Sequence, residues 1–381
     1  KKTVVSSSKP HIGQRVVALM KVKNVHLKVV RGVRDLGLDG GGGLKRVTTV
    51  QTERSRKAVA KLSIVAGLVR SNRVSTRLVQ TGAQPTWAYG VEAYGLTAAA
   101  LAKLRSATAR AVSPGGAQNC PVTAIRTTLG PEGDPLAVAT RASVLWWIDN
   151  WEKRPQDHAL YRRAWSKILP TIVVEGDPEP NWSAVFGPLG TTIANLYRIG
   201  WSSPEPDRWR DPDGAVWQFS ADRTHEGLSA LSQALLDSVT EKLDTQASYH
   251  RFGEGIQDGI DLHVLKAHLR KLSKLQDHRQ EGLLVAASSG GLWPNARVHE
   301  VNPDHPPVCH LCGAPWADEA HVCWRRPTIK ASTDEDITGS EYLAPLAEAD
   351  LGKEKHYCFW VRGLPPSSWY PEIPEGREVA V

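Results

Sequence analysis

The chain has 381 residues, a hydrophobic content of 41% and a net charge of +7, which is sufficient for two or three domains with ordinary cores. Its five cysteines are too few for a disulfide framework, and their odd number leaves at least one unpaired, so a reducing intracellular compartment, cytoplasmic or nuclear, is expected. No apolar run approaches the roughly 18 residues of a membrane span, and the first residues, KKTVVSSSKP, lack the apolar stretch of a signal peptide, so no membrane partner is expected.

Charge is divided unevenly along the chain. Residues 1–110 contain 21 Lys and Arg but only four acids, a local charge of +17, whereas the remainder carries −10 and 13 of the 14 tryptophans. A basic segment of this density is typical of proteins that bind a phosphate backbone. A merely solvated surface is the simpler interpretation, but so many like charges without local acids would repel one another. RNA, DNA or an RNA–DNA hybrid is therefore the expected partner.

Residues 1–112 are predicted to form a small α+β part that leads into basic helices. Short β-prone runs alternate with bases, at residues 3–5, 16–19 and 25–30. The glycine-rich stretch DGGGGLKRVTTV, residues 39–50, is not followed by the Gly-Lys-Ser/Thr of a phosphate-binding loop. It predicts a flexible turn between a strand and the next element.

Two basic helices are predicted after this turn, the first over residues 51–77 and the second after the capping residue Thr97. In each helix the apolar positions fit one buried face, so the lysines and arginines are expected on a face that contacts solvent or nucleic acid. Nine of these bases are the candidate phosphate contacts: Arg54, Arg56, Lys57, Lys61, Arg70, Arg73, Arg77, Lys103 and Arg105.

Residues 113–298 are predicted to form a Trp-rich helical connector. Helices are expected at residues 136–151, 158–169, 184–199, 226–243 and 260–282, with a hairpin that turns at 211–214. The tail after Thr328, and in particular residues 331–381, is acidic and then Pro-rich, so a loosely structured linker is expected there. The predicted fold class is mainly α with a small α+β N-terminal part.

Three of the five cysteines lie in CHLCGAPWADEAHVCWRRP, within residues 299–330. Cys309 and Cys312, followed by a glycine, have the spacing of a zinc knuckle, because two thiolates on one tight turn can grip a tetrahedral ion. His321 is the expected third ligand. For the fourth ligand Cys323 is the nearest candidate, although only one residue separates it from His321, and His305 or His310 are the alternatives. Free thiols beside a surface histidine are the simpler interpretation. The glycine after Cys312 and the spacing of His321 favour zinc binding over it.

The same stretch resembles the zinc-knuckle-like segment that follows the reverse transcriptase domain in non-LTR retroelement proteins. Arg326 stands where that family has its last cysteine. VRDLGLD, residues 33–39, resembles the strand that follows the polymerase palm, and PTWAYGVEAYGL with LRSATARAV resembles the thumb region beyond it. The matching positions of the cysteine-rich stretch are Cys309, Cys312, Gly313, His321, Trp324 and Pro327.

The resemblance implies a nucleic-acid-binding fragment of an RNA-directed DNA polymerase protein that grips primer–template or element RNA. It divides the chain into a thumb-like module (1–112), the connector (113–298), a degenerate zinc knuckle (299–330) and a linker (331–381). The remainder of a longer polyprotein is then a partner, which agrees with a sequence that does not begin with methionine.

Catalytic residues of such a polymerase are missing from the sequence. No Tyr-x-Asp-Asp motif is present, and no ribonuclease H carboxylate set is recognisable, so Mg²⁺ would belong to the missing catalytic domain. Whether the chain has an enzymatic activity of its own stays open, and a self-sufficient hydrolase lacks a nucleophile–base set. The alternative function is a helical protein-interaction adaptor with a structural zinc site.

Overall fold

The protein is described by a computed structural model that covers residues 3–7, 9–30, 32–35, 38–41, 46–114, 118–219, 225–353 and 355–369. It is mainly helical, with small strands at the N-terminus and in the middle, which confirms the predicted fold class. Two compact units alternate along the chain, one formed by 1–65, 75–108 and 131–240, the other by 66–74, 109–130 and 241–381. We call them unit 1 and unit 2; the boundaries at 112, 298 and 330 stay a prediction. In the described residues, no helix combines the length and apolarity needed to cross a membrane.

The N-terminal part of unit 1 holds two small pairs of strands. Its elements are β1 (Val4–Ser6), α1 (Pro10–Val22), β2 (Lys28–Val30), β3 (Gly32–Asp35) and β4 (Leu38–Gly41). Strand β1 pairs with β2 in parallel, and β3 pairs with β4 in antiparallel fashion. The β-prone run at 16–19 lies inside α1, because a parallel pair requires a crossover connection, which is usually a helix. Of the predicted glycine-rich turn, residues 42–45 lie outside the described residues.

Asp39 and Thr97 fix the starts of the two basic helices. The chain continues through α2 (Thr49–Ser71), α3 (Gln84–Ala88), α4 (Val91–Tyr94) and α5 (Ala98–Val112). The buried Asp39 carboxylate accepts hydrogen bonds from the N–H groups of Val50 at 2.9 Å and Gln51 at 3.1 Å, so it caps the first turn of α2. The Thr97 hydroxyl accepts from Ala100 N at 3.3 Å, as predicted. Helix α2 ends six residues before the predicted end at 77.

Tryptophan side chains form the core of the second half of unit 1. The chain passes through α6 (Pro121–Leu129), which lies in unit 2, and returns to unit 1 for α7 (Pro135–Lys153), α8 (His158–Ile172), α9 (Gly187–Arg198), β5 (Ser202–Glu205), β6 (Arg208–Arg210) and β7 (Val216–Gln218). Helix α10 (His225–Ser248) begins in unit 1 and ends in unit 2. Strands β5, β6 and β7 form an antiparallel sheet, with the predicted hairpin between the last two. Buried indole N–H groups donate to backbone carbonyls of the β5–β6 segment at 2.8–3.1 Å: Trp147 to Pro206, Trp165 to Ser203 and Trp209 to Glu205. These bonds hold the sheet on α7 and α8, which explains the tryptophan content of this region.

Most of the C-terminal half lies in unit 2. Its elements are α11 (His263–Lys274), α12 (His278–Ser288), α13 (Asn295–Val301), α14 (Pro327–Lys330), α15 (Glu335–Gly339), α16 (Ala344–Leu351) and α17 (Tyr357–Trp360), with a π-helical turn at His321–Arg325. The helix predicted over 260–282 is two helices. Gln276 has a left-handed backbone with φ of 56°, and Asp277 then caps α12 by accepting from Gln280 N at 3.0 Å.

The tail is packed rather than loosely structured, which corrects the prediction for the part up to residue 369. Trp360 is buried against Ala347, Leu351 and Val361. Its indole Nε1 donates to Asp350 at 2.9 Å, and its carbonyl accepts from Trp324 Nε1 at 2.6 Å. The acidic composition of the tail did not indicate this small apolar cluster, because its few apolar residues are spread over several short helices.

Replacing Trp360 with alanine should destabilise this packed tail. Loss of a buried tryptophan typically costs about 3–5 kcal/mol of unfolding free energy. Urea unfolding followed by far-UV circular dichroism measures the change. Tyr342→Ala, at a position 72% exposed in the same segment, is the control and should shift the free energy by less than about 0.5 kcal/mol. Equal effects of the two substitutions would contradict a packed tail.

Candidate nucleic-acid interface and metal centre

Three predicted phosphate contacts form one row on α2, which we call the α2 stripe: Arg54, Lys57 and Lys61. Their spacing of three and four residues places them on one face of the helix. Arg54 donates to Tyr89 O at 2.8 Å and lies over the Tyr89 ring at 4.2 Å. Lys61 donates to the Thr86 hydroxyl at 2.8 Å. Solvent reaches all three side chains.

Lys57 of the α2 stripe pairs with Glu53 at 2.7 Å, one helical turn away. Both side chains are about half exposed, and a surface pair of this kind contributes little because water screens it. The pair therefore does not prevent Lys57 from contacting a phosphate. Four more predicted contacts are exposed elsewhere on the chain: Arg56, Arg77 and Lys103 in unit 1 and Arg70 in unit 2.

Two predicted phosphate contacts are instead structural ion pairs. Arg73 is 7% exposed and pairs with Glu281 at 3.3 Å inside unit 2. Arg105 forms a bidentate pair with the buried Asp134 in unit 1, with distances of 2.6 and 2.9 Å. Neither guanidinium is placed to reach a ligand in solvent. Their partners lie far away in sequence, so the sequence could not distinguish them from the exposed bases.

Substitution of Arg105 by leucine should therefore reduce stability. The change leaves the Asp134 carboxylate, whose side chain is 3% exposed, without its cation, and breaking a buried pair costs about 3–5 kcal/mol. Urea unfolding measures the loss. Arg110→Leu, at an exposed position of the same helix, is the control and should change the unfolding free energy by less than about 0.5 kcal/mol. A loss below 1 kcal/mol for Arg105→Leu would contradict the structural role.

The cysteine-rich segment of unit 2 brings together Cys309, Cys312 and His321. One ligand atom from each residue lies within 4.8 Å of the other two, and His321 Nε2 is 3.3 Å from Cys312 Sγ. A tight turn joins the two cysteines, with Gly313 N donating to Cys309 O at 2.9 Å and the glycine at φ of 73°. This group, the Cys2His cluster, can hold a metal ion.

Local hydrogen bonds favour the metal-binding form of Cys309. The backbone N–H of Leu311, with further hydrogen bonds from His321 and Cys312, lowers the pKa of the Cys309 thiol to about 6. The thiolate is the form that binds metals. His321 is oriented by its own backbone, whose N–H donates to the Asp318 carboxylate at 2.7 Å.

Glu319 anchors the segment that carries the Cys2His cluster. Its carboxylate is buried and accepts from Arg251 at 3.0 Å, and the guanidinium of Arg297 lies 4.0 Å away. Backbone bonds join the segment to α13, with Ala296 N donating to Ala317 O at 3.1 Å. These contacts anchor the turn that carries the cluster to the rest of unit 2.

Cys323, the predicted fourth ligand, lies outside the group of donor atoms. The chain is helical from His321 to Arg325, so side chains two positions apart point in nearly opposite directions. Burial raises the pKa of the Cys323 thiol to about 11, which keeps it protonated. Of the alternatives, His310 is exposed, and His305 makes a 3.4 Å contact with Asn295. In the part of the chain that the structure describes, the cluster has three members.

Arg326 lies beside the Cys2His cluster. It lines a cavity of about 270 Å³ together with Cys309, so a donor atom at position 326 would lie near that thiol. The guanidinium adds a positive charge there.

Arg46 is a further functional candidate, which was not predicted from the sequence although it directly follows Lys45 in a basic pair after the glycines.

Comparisons with protein families, with curated proteins and with solved structures found no match for this chain.

Proposed function

We propose that this chain binds nucleic acid through the lysine and arginine side chains of residues 46–110 and holds a zinc ion in the Cys2His cluster. The observation that carries the first part is the charge balance of a folded, described segment. Residues 46–110 contain eleven Lys and Arg against two acids. Among the described residues, carboxylates from other segments pair with Arg73 and Arg105, and the two acids of residues 46–110 offset little of the remaining charge.

The α2 stripe supports contacts with a phosphate backbone. Arg54 and Lys61, at its two ends, are seven residues apart, which corresponds to about 10 Å along the helix axis at about 1.5 Å per residue. Phosphates of one B-form strand are spaced by about 3.4 Å along the duplex axis, so the stripe matches the length of about three phosphates. Contacts of this kind position a strand without reading its bases, so binding without sequence preference is proposed.

Zinc is the metal we propose for the cluster. In a tetrahedral site, zinc–sulfur bonds of about 2.3 Å and a zinc–nitrogen bond of about 2.0 Å place the donor atoms about 3.5–3.8 Å from one another. The donor atoms of the cluster lie within 4.8 Å of one another, so side-chain movements of about 1 Å would reach that geometry. Thiolate and imidazole are the donors that zinc takes in structural sites. With three ligands from the chain, water completes the tetrahedron.

These two sites agree with the resemblance to the part of a retroelement reverse transcriptase protein that follows the palm. In that setting the chain would hold RNA, DNA or their hybrid, and the polymerase chemistry would belong to another part of the protein. The resemblance remains a proposal, supported by the order of the basic helices and the cysteine-rich segment along the chain.

Binding of a fluorescent RNA–DNA hybrid to the full chain, measured by fluorescence anisotropy at increasing KCl concentration, tests the proposal. We expect binding at low salt that weakens steeply as salt is added. A chain that does not bind the hybrid at about 50 mM salt would exclude the nucleic-acid function. The adaptor alternative would then be favoured, since an apolar protein interface depends little on salt.

A further inference from the structure

A cleft of about 340 Å³ lies between α2 and α5 in unit 1, on a different side of α2 from the stripe. Arg56 lines it, and two positions along a helix correspond to a rotation of about 200°, so Arg56 and Arg54 face different directions. Lys103 contributes from α5, and Arg46 from the segment before α2. The hydroxyl groups of Thr48 and Ser55 lie in the same lining.

The charges that line this cleft are all positive. Arg46, Arg56 and Lys103 are its charged residues, and no acid from the described residues belongs to the lining. Arg56 and Lys103 are exposed, whereas Arg46 is partly buried. Three cations around one space repel one another unless an anion enters, because no local carboxylate offsets them.

Arg46 is the partly buried one of the three cations. Its guanidinium donates to the backbone oxygens of Tyr94 and Gly95 and lies 5.1 Å from the centre of the Trp182 ring. Within the described part of the chain its buried Nε has no hydrogen-bond partner, and no carboxylate pairs with it.

Arg198 increases the charge imbalance around Arg46. It lies over the same Trp182 ring at 4.4 Å, and the nearby carboxylate, Glu179, pairs with Arg198 at 2.9 Å. Burial, together with the charge of Arg198, lowers the pKa of Arg46 to about 10. An anion in the cleft would relieve this cost, since an opposite charge stabilises the protonated guanidinium.

We propose that the cleft receives one phosphate group of the bound nucleic-acid strand, between Arg56 and Lys103 at the exposed rim and Arg46 further inside. This inference rests on the proposed nucleic-acid function and names a contact outside the α2 stripe. Guanidinium groups donate pairs of hydrogen bonds to phosphate oxygens, and the lysine supplies a point charge. A water molecule occupies about 30 Å³ in the liquid. The cleft volume of about 340 Å³ therefore leaves room for the phosphate and the adjoining sugar.

The test compares two double variants of the full chain in the hybrid-binding assay. Arg56→Gln with Lys103→Gln removes both rim cations, and Arg163→Gln with Lys167→Gln is the matched control at exposed positions of α8 in the same unit. Because both rim cations contact a single phosphate, which Arg46 still faces in the cleft variant, we expect the slope of log K against log salt to fall measurably, by at most about 0.9 and not by twice that amount. The control variant should keep the parent slope.

Protection of Lys103 gives a second measurement. Acetylation of the folded chain by an N-hydroxysuccinimide ester, read by mass spectrometry, should be slower at Lys103 when unlabelled hybrid is bound, and unchanged at Lys167. Inorganic pyrophosphate alone is the comparison ligand. Equal protection by pyrophosphate at the same concentration would overturn the assignment to a strand, because the cleft would then be a site for free phosphate compounds.

The outcomes separate this inference from the function on which it rests. If the parent binds the hybrid with a steep salt slope and the cleft variant has the same slope, the cleft assignment is wrong and the nucleic-acid function stands. If the parent does not bind the hybrid at all, both are wrong.

Discussion

Raising KCl from about 50 to about 200 mM should weaken binding of the RNA–DNA hybrid by about a thousandfold. Seven of the nine predicted contacts remain after Arg73 and Arg105 are assigned to ion pairs, and about six phosphates are neutralised if Arg56 and Lys103 share one. Each neutralised phosphate releases counterions, and six to ten contacts give losses of about 10³ to 10⁵ over this range of salt. Fluorescence anisotropy on the full chain measures the affinity at each salt concentration.

The α2 stripe should account for a large share of this dependence. Replacing Arg54, Lys57 and Lys61 together by alanine should lower the slope of log K against log salt by about 2.7, at about 0.9 per contact. The loss should be the same for hybrids of different base composition, because phosphate contacts carry no base information. Substitution of Arg163 and Lys167 on α8 controls for a general loss of positive charge. A loss of affinity confined to one sequence would point to base contacts instead and contradict the proposed binding mode.

Replacing Cys309 by serine should remove most of the zinc from the purified chain, from about one ion per molecule to nearly none. Cys309 is 3% exposed and supplies one of the three donor atoms of the cluster. Two remaining ligands cannot close a tetrahedral site, and serine is a poor zinc ligand at neutral pH. Inductively coupled plasma mass spectrometry of the full chain measures the zinc content, with circular dichroism to confirm that the variant is folded.

Two further substitutions identify the fourth ligand. Cys323→Ser should leave the zinc content unchanged, because Cys323 lies outside the group of donor atoms. Arg326→Cys should tighten zinc binding, since it removes a positive charge beside Cys309 and adds a thiolate donor. Equal zinc content in the parent and the Cys309→Ser chain would show that the cluster is not a zinc site. A loss of zinc in Cys323→Ser would show that the helical turn at 321–325 unwinds to bind the ion.

Much of the secondary structure follows from local signals. Thr97 caps α5 as predicted, and four of the five helices expected between residues 136 and 282 are present with ends within five residues of those predicted. The exception is the predicted helix at 260–282, which breaks at Gln276. A left-handed glutamine carries no composition signal, and its conformation is fixed by how α11 and α12 pack.

The candidate sites were predictable only in part, because exposure depends on partners far away in sequence. The spacing of Cys309, Cys312 and His321 was enough to predict the cluster. Arg105 looks like any helical base until Asp134, 29 residues later, folds against it. Arg46 was missed for the same reason, since its position in a cleft depends on α5, which begins 52 residues further along the chain.

The buried Glu319 carboxylate has a consequence for how this chain tolerates mutation. Small metal-binding segments usually unfold when a ligand is lost, so their ligands are under strong selection. Here Arg251 and the backbone bonds to α13 anchor the segment through contacts that involve none of the three cluster ligands. The shape of the segment is thereby separated from its metal affinity. Loss of one ligand should then lower the zinc content without unfolding the segment, so that zinc binding and folding are separable properties of this chain.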